Sequence, residues 1–236
     1  MNRGVAMDAD ATGPAREDSY PVTPRTRVRR RAQRGRYDRA SVHAILDEGL
    51  VCHVGFVADG EPLVIPTAYA RVGETLYLHG SPANRMLQSL AGGLPVCVTV
   101  TLVDGIVLAR SAFHHSMNYR SVVVLGHAHV VRDEAEKLRA MHALVEHVAR
   151  GRWDDARPPS ERELAQTLVL ALPLALVSAK VRTGPPIDDD EDHALPCWAG
   201  VIPLRLLPAA PLPDPRLAPG SAAPAYALRY RRPGEP

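Results

Sequence analysis

Alternation of apolar and polar residues sets the character of most of the chain. The run LVCHVGFVADGEPLVIPTAYA reads as two strands turned on Asp59-Gly60, a dipeptide suited to the left-handed φ values of a tight hairpin. ETLYLHG predicts a third strand. LPVCVTVTLVDGIVLARSAF predicts another hairpin, turned on Asp104-Gly105. SVVVLGHAHVV is a long strand by its β-branched content, and LPLALVSAKV and WAGVIPLRL predict the last ones. Helical signals are fewer. Asp38 can cap a short helix with the stripe Val42, Ile45 and Leu46, which Gly49 ends. Asp133 can cap a second with Leu138, Met141, Leu144, Val145 and Val148 on one face. Ser160-Glu161-Arg162-Glu163 is a capping box. Six or more strands joined by tight hairpins, with one helix after the third, predict a mainly β protein with peripheral helices, an antiparallel barrel.

The ends of the chain break this pattern. Residues 1 to about 24 are small, polar and Pro-dotted, which predicts a disordered lead-in. Arg25 to Arg36 holds seven arginines in twelve residues, either a polyanion-binding arm or, as the favoured reading, a solvated or subunit-hugging extension. Nine prolines in the 34 residues from Pro203 to Pro236 exclude helix or central strand there. The expected division is a disordered or extended basic arm (1–35), a barrel domain (36–206) and a Pro-rich extension (207–236).

Composition narrows the function classes. A net charge of +2 and 5% aromatic residues argue against nucleic acid, which needs a basic field or stacking platforms. The least polar stretch, Leu164 to Ala179, is too short and interrupted to span a bilayer. With no apolar leader and three scattered cysteines, Cys52, Cys97 and Cys197, the expectation is a soluble cytoplasmic protein. No GxGxxG after a strand, GxxxxGK[ST], HExxH or GxSxG is present.

The most informative chemistry lies in LYLHGSPANRMLQSL. A strand ends at His79, Ser81 can cap a following helix, and Pro82 suits its first position. A phosphate there would meet free backbone N–H groups, the Ser81 hydroxyl and the Arg85 fork. The alternative is an ordinary strand-to-helix corner with a surface arginine. Upstream, Pro66 within VIPTAY marks an edge strand, a bulge or a ligand-facing rim.

The blocks YDRASVHAILDEGLVCHVGFV, GEPLVIPTAYAR, LYLHGSPANRMLQSL and VCVTVTLVDGIVLARSAFHHSMNYRSVVVLGHAHVV resemble the pyridoxamine 5′-phosphate oxidase-related FMN-binding split-barrel family. The nearest branch is that of flavin-nucleotide-binding proteins, similar to nitroimidazole-resistance reductases. The resemblance covers residues 36–206. It implies a Greek-key split barrel, a homodimer and FMN in a groove shared by both subunits. By that resemblance the flavin phosphate falls to Ser81, Asn84 and Arg85, and the isoalloxazine to Ile65, Pro66 and Thr67. His79 would face the ribityl chain or ring, and the partner would contribute Ser116, Asn118, Tyr119 and Arg120. Trp198 either covers the flavin edge or fills the dimer seam. PLVIPTAY lacks the Arg and Lys that true pyridoxamine phosphate oxidases carry at the ring, so that oxidation is not expected.

The resulting expectation is an FMN-dependent oxidoreductase of nitro-aromatic or quinone-like compounds, drawing on NAD(P)H, with His79 or Tyr119 as proton donor. The alternatives are a flavin-binding module without turnover and a haem-binding split barrel. No metal centre is expected. His114 and His115 point to opposite faces in a strand, His127 and His129 lack an acidic companion, and Asp188 to Asp192 reads as a solvated loop.

Overall fold

In the computed structural model residues 18–232 are described. The strands are β1 (Gly35–Arg36), β2 (Val51–Ala58), β3 (Glu61–Ala68), β4 (Ala70–Val72), β5 (Thr75–Gly80), β6 (Pro95–Leu108), β7 (Ser116–His127), β8 (His129–Val130), β9 (Leu168–Pro173), β10 (Leu176–Arg182) and β11 (Gly200–Pro203). The helices are α1 (Arg39–Glu48), α2 (Arg85–Ala91), α3 (Glu134–Val148), α4 (Arg152–Asp155), α5 (Glu161–Ala165) and α6 (Ala225–Leu228). The larger sheet runs β1-β10-β7-β6-β2-β3, with β11 paired to the distal part of β6. The smaller runs β4-β5-β9-β8. The paired strands are antiparallel, and the two sheets do not close on each other, the arrangement of a split barrel.

Alternation does the work that it predicts. On β2 the side chains of Cys52, Val54, Phe56 and Ala58 enter the core, while Val51, His53 and Val57 face out. The chain passes between sheets at Tyr69 and again at Leu174-Ala175, and the core fills the space between. Helix α1 forms as its signals require: the Asp38 side chain accepts from the Ser41 N–H, and Val42, Ile45 and Leu46 are buried. Tyr69, fully buried at the sheet-to-sheet corner, donates its hydroxyl to the Leu46 carbonyl at 2.5 Å. Asp133 and Ser160 cap α3 and α5 as expected. The α3 stripe is narrower than its sequence suggests, with Ala140 and Leu144 buried but Leu138 and Val148 exposed.

Three expectations need correction. Asp59-Gly60 makes its tight turn, with φ of 55° and 80°. Asp104-Gly105 does not: β6 continues through it as one strand of 14 residues, with a register shift between Val103 and Gly105. β7 pairs with both halves of β6, so the extra residue is absorbed as a bulge. A Cβ on Gly105 would lie 3.0 Å from the Ile202 carbonyl of β11, so close approach, not a turn, calls for glycine here. Second, Gly49 ends α1 at the expected residue, but in extended conformation, with φ −66° and ψ 134°, and not through a left-handed cap. Third, the arm is docked from residue 18 onward. Ser19 bridges Asp38, β1 pairs with β10, and the Tyr20 ring is buried with its hydroxyl donated to Glu74 at 2.8 Å. The rest of the expected lead-in, residues 1–17, lies outside the described residues. In the Pro-rich extension, Tyr226 donates to Asp155 and Tyr230 to the Val148 carbonyl, which ties α6 to α3 and α4.

Candidate functional site

The strand-to-helix corner differs from its sequence reading by one turn. Ser81 caps a tight turn, accepting the Ala83 N–H at 3.2 Å, and α2 itself starts at Arg85. Asn84 is the N-cap, its side-chain oxygen accepting the Leu87 N–H at 3.1 Å. Met86, Leu87 and Leu90 must all reach the core, which sets where the helix begins. Ser81, Asn84 and Arg85 therefore stay together at one exposed corner. Arg85 is not free there: it donates to Asp59, at the tip of the β2–β3 hairpin, at 2.9 Å.

Ile65, Pro66 and Thr67 lie on β3, an edge of the larger sheet, where proline is tolerated. Ile65 and Thr67 are half-buried and Pro66 is exposed. His79, near the end of β5, presents a buried Nδ1 with no hydrogen-bond partner among the described residues. Burial also holds its pKa below the ordinary histidine value, so the ring is neutral at pH 7. A buried ring nitrogen without a partner is costly and marks a place where a donor or acceptor is missing.

On β7 the four expected residues separate into two kinds. Ser116 and Tyr119 are half-buried, and neither side chain has a hydrogen-bond partner among the described residues. Asn118 is buried, donates to the Gly184 carbonyl at 3.1 Å and accepts from Arg182. Arg120 is clamped between Glu48 and Asp104, donating to Asp104 at 2.7 and 2.9 Å and forming a short fork with Glu48. Its charge is matched within this chain, and those carboxylates hold its pKa well above the ordinary arginine value. Any role for Asn118 or Arg120 toward a cofactor requires breaking these contacts. Trp198 is 66% exposed and its ring lies over Gly200, where a Cβ would come within 2.8 Å of it.

Contrary to expectation, His114 and His115 lie not in a strand but in and just after a 3-10 turn over Ala112–His114. The His114 ring meets Asp189 there, and the His115 ring hydrogen-bonds to the Ser111 carbonyl. Nor is the acidic run a uniformly solvated loop. Asp188 is buried and accepts from both the Arg110 N–H and its guanidinium. This anchors the segment, bringing His114, Asp189 and Asp192 within 4.8 Å of one another. Two of the three donors are acids on a surface turn.

A feature missed by sequence reasoning is a cavity of about 930 Å³ between the outer surface of β2 and β6 and the segment after β11. His53 lines it, together with apolar side chains of both walls. The only sequence signal for His53 was its outward phase in VCHV, which polar residues share generally.

The buried histidines set a pH dependence. Burial lowers the pKa of His43, His79 and His147 below the ordinary histidine value of about 6.5. Below about 6.5 the unfolded chain takes up protons that the folded rings refuse, so stability is present at neutral pH and is lost as pH falls. Melting temperatures should fall from pH 7.5 to 5.5, before carboxylates titrate, and His79→Gln should flatten part of that slope. A profile flat over this range would show that the rings titrate normally.

Known proteins share this sequence pattern and fold. The family described as pyridoxamine 5′-phosphate oxidase matches residues 38–181, more than half of the chain. The chain is similar to the flavocytochrome Anf3 of Azotobacter vinelandii, 43% identical, over 89% of this chain and 98% of that one, with a TM-score of 0.84. It is also similar to the FAD and heme binding protein of Mycobacterium smegmatis, 38% identical, over 82% and 95%, with a TM-score of 0.79. A protein of Bacteroides thetaiotaomicron assigned to 5-nitroimidazole antibiotic resistance is 26% identical over 62% and 86%, with a TM-score of 0.52. None of the curated proteins compared matches the chain.

Proposed function

The chain belongs to the pyridoxamine 5′-phosphate oxidase family, and from that premise we propose that it is a flavin-nucleotide-dependent oxidoreductase that also carries haem. The near end-to-end likeness to a flavocytochrome carries this reading. The surroundings of β3 and β5 support the flavin. Ser81, Asn84 and Arg85 offer a phosphate corner, β3 offers an open edge beside Ile65, Pro66 and Thr67, and His79, two residues before Ser81, has a buried Nδ1 without a partner among the described residues. FMN and FAD share the phosphate that this corner would hold, and FMN is the smaller group implied by the split-barrel resemblance.

Bound flavin supplies one- and two-electron transfer chemistry. The chain's own part is to grip the phosphate with Arg85, to lay the heterocycle against β3, and to hold a proton donor nearby. His79, neutral at pH 7, can donate from only one ring nitrogen, and Tyr119 is the second candidate. Electrons from NAD(P)H and a nitro-aromatic or quinone-like acceptor complete the proposed reaction. The cavity beside His53 favours haem as the second cofactor, because it joins an imidazole to an apolar hollow of cofactor size.

Val57 and Val64, exposed by 55% and 67%, share the outer face of β2 and β3 near the β2–β3 hairpin. Covering them with a second copy would complete a shared flavin groove, so light scattering should report about twice 25.6 kDa. A monomer that still binds flavin would sink the shared groove. For the function itself, the purified protein is extracted and its cofactors identified by mass, then reduction is followed after mixing with NADPH. Absence of any flavin, with none taken up on titration of FMN or FAD, would overturn the reading. Bound flavin that no pyridine nucleotide reduces would leave a binding module.

A further inference from the structure

We propose that His53 is the axial ligand of a haem seated between the β2–β6 surface and the segment after β11, an assignment that rests on the haem reading above. Haem is a flat apolar ring with two carboxylates and an iron that takes an imidazole. Each of those three properties has a counterpart in the cavity. Val51, Val103, Leu204, Leu206 and Leu207 all line it, and all are large apolar side chains left exposed. Five such residues around one hollow of about 930 Å³ form an apolar surface left open among the described residues. The volume lies within the roughly 300–1,000 Å³ typical of cofactor pockets.

Charge points the same way. Two acids line the cavity, Glu48 and Asp104, and both are already paired with Arg120. Arg205 also lines it and makes no ion pair among the described residues, so the unmatched charge is positive, as propionates require. His53 sits on the outer face of β2, and its ring has no hydrogen-bond partner among the described residues. An imidazole so placed is available to a metal without breaking any contact.

The position is distinct from the flavin-phosphate corner yet adjacent to the flavin strand. His53 on β2 and Asp59, the turn residue that holds Arg85, are six residues apart, about 20 Å at the rise of an extended strand. Pro66, by contrast, is the direct cross-strand partner of His53. The haem ligand and the proposed isoalloxazine strand are thus neighbours in one sheet.

The test loads hemin onto full-length wild type, His53→Ala and Arg205→Ala. It reads haem retained after desalting, the Soret band, and flavin content as a check on the fold. His53→Ala should keep its flavin and lose the haem, and imidazole added to the buffer should restore the Soret band by filling the vacated ligand position. Arg205→Ala should bind hemin more weakly but the hemin dimethyl ester as well as wild type does. If wild type retains haem and His53→Ala retains it with an unchanged spectrum, His53 is not the ligand, although the haem reading stands. If wild type with full flavin content takes up no haem, both fall, and a second copy of the chain becomes the occupant of the apolar hollow.

Discussion

Gly49→Ala should lower the melting temperature by about 6–12 °C, from an overpacking cost of about 3 kcal/mol in a chain of this size. An added Cβ would stand 2.4 Å from Val100 Cγ1 and 2.7 Å from the Tyr69 hydroxyl. Neither neighbour can step aside, since Val100 and Tyr69 are buried and the Tyr69 hydroxyl is held on the Leu46 carbonyl. The Gly49 carbonyl is fixed as well, 2.6 Å from Nε2 of His147 on α3. The residue therefore locks α1, the sheet corner and α3 together, and its backbone conformation is one that alanine adopts freely. Gly55→Ala is the control, because its Cβ would meet nothing nearer than 3.5 Å. Val100→Ala alone should destabilise by opening a cavity, yet in the Gly49→Ala background it should recover part of the loss. Strict additivity of the two changes would show that the clash is not the cause.

That glycine also shows where sequence reasoning reaches its limit. Asp38, the stripe Val42, Ile45 and Leu46, and Gly49 mark α1 correctly, because capping and helical spacing are local physics. The reason for Gly49 is not local: the atoms it must avoid belong to Tyr69 and Val100, 20 and 51 residues on. The two Asp-Gly pairs make the same point. One turns and the other bulges, and the difference lies in β7, which pairs with both halves of β6. At the strand-to-helix corner, Ser81 and Asn84 are both good caps, and only the burial of Met86, Leu87 and Leu90 decides between them. The corner of strand, caps and arginine was legible because these residues are nearly consecutive. Arg120 was not, since its partners Glu48 and Asp104 lie 72 and 16 residues away in sequence. His53 was silent because the cavity beside it is closed by residues about 150 positions later, from Pro203 to Pro208.

Arg85→Ala should weaken FMN and FAD by roughly 10- to 150-fold and leave riboflavin unchanged. The loss is one charge-assisted hydrogen bond to phosphate, worth about 1.5–3 kcal/mol, and riboflavin has no phosphate to lose. Arg85→Lys should recover only part, because an ammonium lacks the guanidinium fork. Asp59 supplies the sharper test. Its carboxylate competes for Arg85 in an ion pair whose side chains are 62% and 86% exposed, and such pairs are worth at most about 1 kcal/mol. Asp59 sits at φ 55° in the hairpin turn, a conformation that asparagine accepts as readily, so Asp59→Asn removes the charge and keeps the fold. With its competitor gone, and one negative charge removed from beside the phosphate, FMN should bind up to about fivefold more tightly. In the Arg85→Ala background the release of Arg85 has no meaning, so Asp59→Asn should then give a smaller gain, the residue of direct repulsion alone. Titrating FMN, FAD and riboflavin against the four proteins of this cycle decides it. Equal losses for FMN and riboflavin on Arg85→Ala, or a gain from Asp59→Asn that is as large for riboflavin as for FMN, would remove Arg85 from the phosphate and leave its ion pair a surface contact.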